Sequence, residues 1–250
     1  MAAPSPRPAG SYGMDASWVP WLWAAIGIVY LVLAGFSVFS WGAPLWVTFL
    51  VAVLGLAFLA GGALFWNASA HGKFLVWREL LDELPAPARV LDLGCGRGAV
   101  TIMTAEAFPR ADVTGVDLWR SIDQSGNSPA AAEANATVNG VSGRTRFVTG
   151  DMTALPQFDG GSFDLVTASL AIHNIHSPLG RRSAIGEAWR VLSPGGRLVI
   201  VDISKVDEYI VHLRALGAAL TVRRAGWRMW WSGPWMATRI LIAAKPGASS

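Results

Sequence analysis

Cysteine is scarce throughout this 250-residue chain, and charge is scarce in its first quarter. The single cysteine, Cys95, excludes an internal disulfide. Of the 37 charged side chains (20 basic, 17 acidic), only Arg7 and Asp15 lie before Trp66, so 35 follow it. This division predicts a membrane segment followed by a soluble domain. The net charge is only +3, and the scattered basic residues do not indicate a nucleic-acid partner.

The uncharged quarter contains two apolar runs, residues 18–39 and 45–66. Each run is long enough for a ~30 Å hydrocarbon core, which needs ~20 helical residues. The linker 40–44 permits only a tight hairpin, and tryptophans gather near the ends of the runs, as at membrane interfaces. We therefore predict a transmembrane helical hairpin over residues 18–66. The preceding residues 1–17 are rich in Pro, Ala, Ser and Gly and are predicted to be a disordered tail.

Two other interpretations of the apolar quarter were weighed. A cleaved signal peptide accounts poorly for the second run. A buried hairpin in a soluble protein is disfavoured, because a helix that is apolar all round needs lipid or a much larger protein around it. Arg7 flanks the hairpin on one side and His71, Lys73 and Arg78 flank it on the other. The positive-inside rule then places both ends, and the catalytic domain, in the cytoplasm.

Beyond the hairpin, residues 67–88 form a predicted linker with an amphipathic helix over 73–84. From residue 89, strand and helix patterns alternate, which predicts a parallel sheet with helices on both faces. Predicted strands are 89–93, 112–117, 145–149, 163–169 and 197–203, with two further candidates at 219–223 and 238–244. Predicted helices are 98–108, 129–139, 180–192 and 206–216.

The first of these strands runs into a glycine turn, Leu93-Gly-Cys-Gly-Arg-Gly98. Glycines at alternate positions let the chain turn sharply and let a ligand lie against the backbone. Their spacing fits neither the dinucleotide fingerprint nor the P-loop. Ligands of open parallel sheets bind at the carboxyl ends of the strands. Later strands end at Asp117, at Asp151 and just before His173 and His176, so these residues are site candidates.

Residues 90–98 closely resemble the first motif of the S-adenosylmethionine (AdoMet) methyltransferases, and the resemblance extends over roughly 89–204. It implies a class I, Rossmann-like, doubly wound α/β domain over residues 89–246, with a mostly parallel seven-stranded sheet whose last strand is antiparallel. It also implies S-adenosyl-L-methionine as the cofactor. The cofactor-binding positions it implies are Asp92, Gly94, Cys95, Gly96, Gly98, Asp117, Leu118, Asp151 and Met152.

The resemblance also assigns roles to single positions. Asp117 would hold the ribose hydroxyls, Asp151 would accept from the adenine amino group, and the Met152 backbone would read the adenine edge. Each acidic residue has a plainer interpretation, since Asp117 suits a helix N-cap and Gly150-Asp151 suits an ordinary turn. Cys95, inside the glycine turn, is expected to be a small buried packing residue.

His173 and His176 are the candidate catalytic residues, because an imidazole that titrates near neutral pH can take a proton from an incoming nucleophile. Two alternatives stay open: either histidine is structural, or methyl transfer needs only alignment of the reacting atoms. No third ligand lies near the pair in sequence, so we expect no metal site.

Two segments depart from simple patterns. The polar loop 119–129 could line the pocket or cap the next helix. Residues 225–236, named here the tryptophan segment, carry Trp227, Trp230, Trp231 and Trp235. We interpret this segment as a membrane-facing lip of the active site, and the competing interpretation is that its tryptophans pack over the sheet or the pocket.

The hypothesis that follows is a two-pass, membrane-anchored AdoMet-dependent methyltransferase with a small apolar or lipid-soluble acceptor. The anchor alone explains localisation equally well with a water-soluble substrate. The alternative function is a membrane-anchored AdoMet-binding scaffold without turnover.

Overall fold

The computed structural model describes residues 7–39, 41–120 and 124–247. Its α-helices are α1 (Val19–Phe39), α2 (Leu45–Asn67), α3 (Lys73–Glu83), α4 (Ala99–Ala107), α5 (Pro129–Val138), α6 (Pro178–Val191) and α7 (Val206–Ala215). Its strands are β1 (Arg89–Leu93), β2 (Asp112–Asp117), β3 (Thr145–Thr149), β4 (Phe163–Ser169), β5 (Leu192–Asp202), β6 (Ala219–Arg224) and β7 (Arg239–Ala244).

The seven strands form one sheet in the order β3-β2-β1-β4-β5-β7-β6. β1 to β5 pair in parallel, and β7 is antiparallel to both β5 and β6. The predicted mostly parallel, seven-stranded sheet with an antiparallel last strand is therefore confirmed. The chain order reverses between β1 and β4, and the switch point opens a crevice beyond the carboxyl ends of these strands.

The predicted boundary before β5 is wrong by five residues. The strand begins at Leu192, not Arg197, because Leu192 pairs with Phe163 before a register shift in the ladder between β4 and β5. The helix α6 accordingly ends at Val191 and not at Leu192.

The apolar quarter of the chain forms a helical hairpin of α1 and α2. The two helices touch at Gly27 and Gly55, where a Cβ on either glycine would lie 2.8–2.9 Å from the carbonyl oxygen of the other. Ser37 and Thr48 share a 2.7 Å hydroxyl hydrogen bond near the linker. Both helices are long and apolar enough to cross a membrane, and only 17% of the most apolar stretch of each is buried.

The helix α2 does not stop where the apolar run stops. One π-helical turn, Ala68–Gly72, joins it to α3, so a single 39-residue helix runs from Leu45 to Glu83. A separate linker at this point was predicted, but no proline interrupts the helix before Pro85, and Gly72 keeps ordinary helical backbone angles.

The segment before α1 differs from the predicted disordered tail. Residues 7–17 lie against the folded domain, with Tyr12 fully buried and its ring edge-on to Phe74 at 5.6 Å. The Asn135 side chain accepts from the Ser11 backbone N–H and donates to the Ser11 carbonyl. Average composition predicts disorder, but one aromatic anchor and one amide clamp hold this segment in place. Residues 1–6 lie outside the described part.

The tryptophan segment is partly buried and partly exposed. Met229 and Trp231 are buried, and the Trp231 ring meets Phe65 of α2 edge-on at 5.0 Å. By contrast, Trp227 and Trp235 are 60% and 71% exposed. Trp231 therefore packs inside the fold. Trp227 and Trp235 have the exposure that a membrane-facing lip requires.

Candidate active site

A cavity of about 360 Å³ opens at the carboxyl edge of the sheet, beyond β1, β2 and β4. Its volume is in the usual range for small-molecule sites, ~300–1,000 Å³. Every predicted cofactor position except Gly98 lines the cavity: Asp92, Gly94, Cys95, Gly96, Asp117, Leu118, Asp151 and Met152. Gly98 instead begins α4, with a φ of +80°.

The glycine turn forms one wall of the cavity, and its glycines are packed too closely against neighbouring residues to carry side chains. A Cβ at Gly94 (φ +67°) would lie 2.4 Å from Ala171 Cβ, and a Cβ at Gly96 (φ +53°) would lie 2.4 Å from Gln124 Oε1. The turn is fixed to β2, because the N–H groups of Gly94 and Cys95 donate to the Val116 carbonyl. The backbone of the turn is therefore close enough to contact a ligand.

Asp92 lies beneath the turn and is almost fully buried. Its carboxylate accepts from Thr101 Oγ1 at 2.7 Å and from Thr167 Oγ1 at 2.8 Å, which connects β1 to α4 and β4. Burial raises the pKa of Asp92 from 3.8 to about 6, although both hydroxyl donors act in the opposite direction.

Asp117, at the end of β2, faces the cavity and holds the surrounding backbone. It accepts from the Gly96 N–H at 2.9 Å, from the Trp119 N–H at 2.6 Å and from Asn127 Nδ2 at 3.1 Å. The neighbouring Asn127 Oδ1 is buried and has no partner among the described residues. The Asp117 carboxylate thus lies on the wall with Asn127 beside it, and a carboxylate can accept from two adjacent hydroxyl groups.

Cys95 is buried beside the β2 backbone, where a Cβ at Gly115 would lie 2.7 Å from its sulfur. Burial raises the pKa of the thiol well above its ordinary value. These observations match the expected packing residue and disfavour a nucleophile.

The residues that follow β3 form the far end of the cavity. Asp151 is exposed, and its Oδ1 accepts from the Thr153 N–H at 2.8 Å, which is an ordinary local turn. Met152 lies beside the glycine turn, and its Cε would be 3.1 Å from a Cβ at Gly94. Leu118 completes this side and is 41% exposed.

The structure separates the two candidate histidines. His173 Nδ1 lies 2.5 Å from Asp202 Oδ1, and His173 does not line the cavity. Asp202 is buried and also accepts from Tyr209 Oη at 3.2 Å, so His173 belongs to a structural network. His176 lines the cavity and is exposed at its rim.

The polar loop 119–129 has both of the roles that were left open. Gln124 and Asn127 line the cavity, and Gln124 Oε1 accepts from the Arg97 N–H at 2.9 Å. Ser128 caps α5, since its hydroxyl accepts from the Ala131 N–H at 3.2 Å. Residues 121–123 of the loop lie outside the described part.

Four wall residues come from outside the predicted methyltransferase domain: Asp15, Lys73, Phe74 and Trp77. Asp15 comes from the segment before α1, and the other three come from α3. One signal for Asp15 was available, because it is the only acidic residue before Trp66. In the part of the chain that the structure describes, no three His, Cys, Asp or Glu side chains are grouped to hold a metal ion.

The strand order, the antiparallel last strand and the glycine turn at the switch point together define a class I methyltransferase fold. Residues 90–196 match the family model described as a methyltransferase domain. By sequence this stretch is a methyltransferase domain, and its sheet has the class I, Rossmann-like fold.

Sequence comparison relates this domain to quinone-modifying enzymes. It is 37% identical over 136 residues to a demethylmenaquinone methyltransferase of Thermus thermophilus, covering 53% of this chain and 56% of the relative. It is 34% identical over 141 residues to the ubiquinone/menaquinone biosynthesis C-methyltransferase UbiE of Dinoroseobacter shibae, covering 55% and 52%. The chain thus spans about half the length of the curated relatives it matches.

Solved structures share the fold at low identity. The [4+2]-cyclase SpnF aligns with a TM-score of 0.57 and 22% identity, covering 68% of this chain and 81% of that one. Geranyl diphosphate C-methyltransferase of Streptomyces coelicolor, solved with S-adenosyl-L-homocysteine, aligns with a TM-score of 0.54 and 18% identity, covering 69% and 79%. A cyclase among these neighbours illustrates that the fold alone does not define the reaction.

Proposed function

We propose that this protein is an AdoMet-dependent methyltransferase that acts on a small, lipid-soluble, quinol-like acceptor and is anchored in a membrane by α1 and α2. The curated relatives support the reaction and the class of acceptor. The exposed apolar faces of the hairpin support the anchor, since a core helix of a soluble protein would be mostly buried.

One observation carries this proposal: the cavity wall is continuous with the anchor. Phe74 and Trp77 line the cavity, and they lie on the same unbroken helix as the apolar run that starts at Leu45. An apolar acceptor dissolved in a bilayer therefore meets an apolar wall where the helix leaves the membrane. A water-soluble substrate would gain nothing from this arrangement.

The cavity fits the proposed cofactor. The Asp117 carboxylate would accept from the ribose hydroxyls, and the ligand would lie against the backbone of the glycine turn, which lines the cavity. Asp151 and Met152 lie at the far end, where the adenine base would be held. Asp92 binds no ligand in this scheme and instead fixes the turn through Thr101 and Thr167.

AdoMet, when bound, supplies a methyl group on a sulfonium sulfur that leaves as a neutral thioether. The chain aligns the acceptor with this methyl group, and the acceptor loses one proton as its new bond to carbon forms. His176, at the cavity rim, takes that proton. His173 has a structural role, because Asp202 holds it away from the cavity.

The direct test is product formation. Full-length protein in detergent or vesicles would be incubated with methyl-labelled AdoMet and a reduced naphthoquinol carrying a prenyl tail, and lipid extracts would be analysed by mass spectrometry. We expect a product heavier by one methyl group and no product with a Gly96→Val variant. Binding of AdoMet without any methylated product from quinols or a membrane extract would favour the scaffold function.

The anchor is tested separately by topology. A cysteine placed at exposed Gly42, in the hairpin linker, should react with an impermeant thiol reagent in intact cells, whereas one at exposed Gly247 should not. Native Cys95 gives little background, because it is buried and its thiol pKa is raised. Labelling of the Gly247→Cys protein from outside would contradict a cytoplasmic catalytic domain.

A further inference from the structure

An ion pair on the cavity wall, with a buried Lys73 and a partly buried Asp15, comes from outside the sheet domain. Lys73 Nζ lies 2.7 Å from Asp15 Oδ2, and the Lys73 residue is only 6% exposed. Asp15 precedes α1, and Lys73 begins α3, so the pair joins the two flanks of the hairpin. Both residues line the cavity.

The protein itself satisfies only part of the hydrogen-bonding capacity of the pair. Asp15 Oδ2 also accepts from Ser69 Oγ at 2.9 Å, and the Asp15 N–H donates back to that hydroxyl at 3.0 Å. Within the described ranges, Asp15 Oδ1 has no hydrogen-bond partner, and Asp15 is the only acceptor for the three N–H groups of Lys73. A buried pair with unused capacity costs desolvation energy unless a ligand completes its hydrogen bonds.

The position of the pair along the cavity indicates which part of a ligand it meets. Asp151 marks the far end, and the Gly150 N–H beside it donates to the Asp117 carbonyl. Asp117 in turn holds Gly96, and Gln124 covers Gly96 from the other side. Asp15 forms a β-bridge with Gln124. Through these contacts the pair is next to Gln124 and the glycine turn, whereas Asp151 is next to Gly150 and Asp117.

We infer that Asp15 and Lys73 bind the amino-acid end of the cofactor, with Lys73 on its carboxylate and Asp15 on its ammonium group. A zwitterion presents one group of each sign a few ångströms apart, and a buried cation next to a partly buried anion is its complement. This inference rests on the proposed cofactor. It makes both flanks of the membrane hairpin part of the cofactor site.

The sharpest test compares two ligands that differ only at this end. S-adenosyl-L-homocysteine carries the amino-acid end, whereas 5′-methylthioadenosine keeps the adenosine and the thioether and lacks it. Both affinities would be measured by titration calorimetry on the full chain in detergent. We expect Lys73→Met and Asp15→Asn each to weaken S-adenosyl-L-homocysteine at least tenfold and to change 5′-methylthioadenosine less than twofold.

Two further variants separate recognition from a structural tie. Arg78→Met is the matched control, because Arg78 lies on the same helix, pairs with Glu106 at 3.5 Å and does not line the cavity. It should change neither affinity. The double variant Asp15→Lys, Lys73→Asp keeps an ion pair between the two segments but exchanges the positions of the positive and negative charges. It should not restore the preference for S-adenosyl-L-homocysteine.

The inference is overturned if the swap restores wild-type preference, if Lys73→Met leaves S-adenosyl-L-homocysteine affinity unchanged, or if both ligands weaken equally. Failure of the proposed function has a different signature. The wild-type protein could prefer S-adenosyl-L-homocysteine over 5′-methylthioadenosine, lose that preference in Lys73→Met, and still form no methylated product. That result would support the inference and contradict the proposed activity. A wild-type protein that binds neither ligand would contradict both.

Discussion

Replacement of Asp117 by alanine removes the acceptor that the site depends on most. A hydrogen bond to a charged group contributes ~1.5–3 kcal/mol, so loss of the ribose acceptor should weaken S-adenosyl-L-homocysteine by roughly 10- to 150-fold. The structure adds a second effect, because the N–H groups of Gly96 and Trp119 and the Asn127 amide also lose their acceptor. Water can reach part of this site, so we expect a lower melting temperature but a folded protein.

The assay is titration calorimetry with S-adenosyl-L-homocysteine, after circular dichroism has confirmed folding. Asp151→Ala is the control, because among the described residues its side chain accepts only from the Thr153 N–H and it is exposed. It should weaken binding less than Asp117→Ala does. Unchanged affinity in a folded Asp117→Ala protein, or a larger loss in Asp151→Ala, would refute the assignment of the ribose site.

Three other predictions concern stability, packing and catalysis. The folded state binds the Asp92 proton more tightly than the unfolded state does. Protonation of Asp92 therefore adds to the free energy of unfolding fully below pH ~4, and this stabilisation is lost as the pH rises through about 6. A rise in pKa from 3.8 to about 6 corresponds to about 3 kcal/mol. In thermal melts from pH 4 to 7, the Asp92→Asn protein should not show this loss of stability. The same pH dependence in the variant and the wild type would contradict the prediction. Trp231→Ala should destabilise the fold by ~3–5 kcal/mol, because a buried Trp side chain is removed, and should lower the melting temperature strongly. Trp227→Ala should leave the melting temperature unchanged, because Trp227 is exposed. Equal melting temperatures for the two variants would contradict the packing described. His176→Ala should lower kcat by ~10²-fold or more without changing cofactor affinity, whereas His173→Ala should act mainly on stability; unchanged turnover in His176→Ala would leave alignment as the whole mechanism.

The sheet domain could be predicted well because its signals are local. The first four strands are short segments bounded by turn residues, and all four match their predicted bounds. The glycine turn is recognisable because only glycine tolerates both the positive φ at Gly94 and Gly96 and the close contacts there. Most cofactor positions follow from these two features, since the carboxyl ends of parallel strands meet at one edge.

The remaining features depend on contacts between distant residues, which no local pattern encodes. Tyr12 and Asn135 are far apart in sequence, and together they hold residues that composition alone predicts to be disordered. Asp15 and Lys73 are separated by the whole hairpin, and their pairing depends on how α2 continues into α3. His173 and His176 look equivalent in sequence, and only the position of Asp202 distinguishes them.

The unbroken helix from Leu45 to Glu83 also sets a height above the bilayer. Phe74 lies seven residues after Asn67, where α2 ends, and at ~1.5 Å per residue this is roughly 10 Å. The headgroup layer is itself ~5–8 Å thick, so under the proposed anchoring the cavity wall begins at its outer boundary. A lipid-soluble acceptor would then need to move only its ring system out of the bilayer to reach the cavity, while its tail stays in the membrane. The rate should follow the mole fraction of acceptor among the lipids, and diluting the acceptor with inert lipid at constant bulk concentration should slow the reaction.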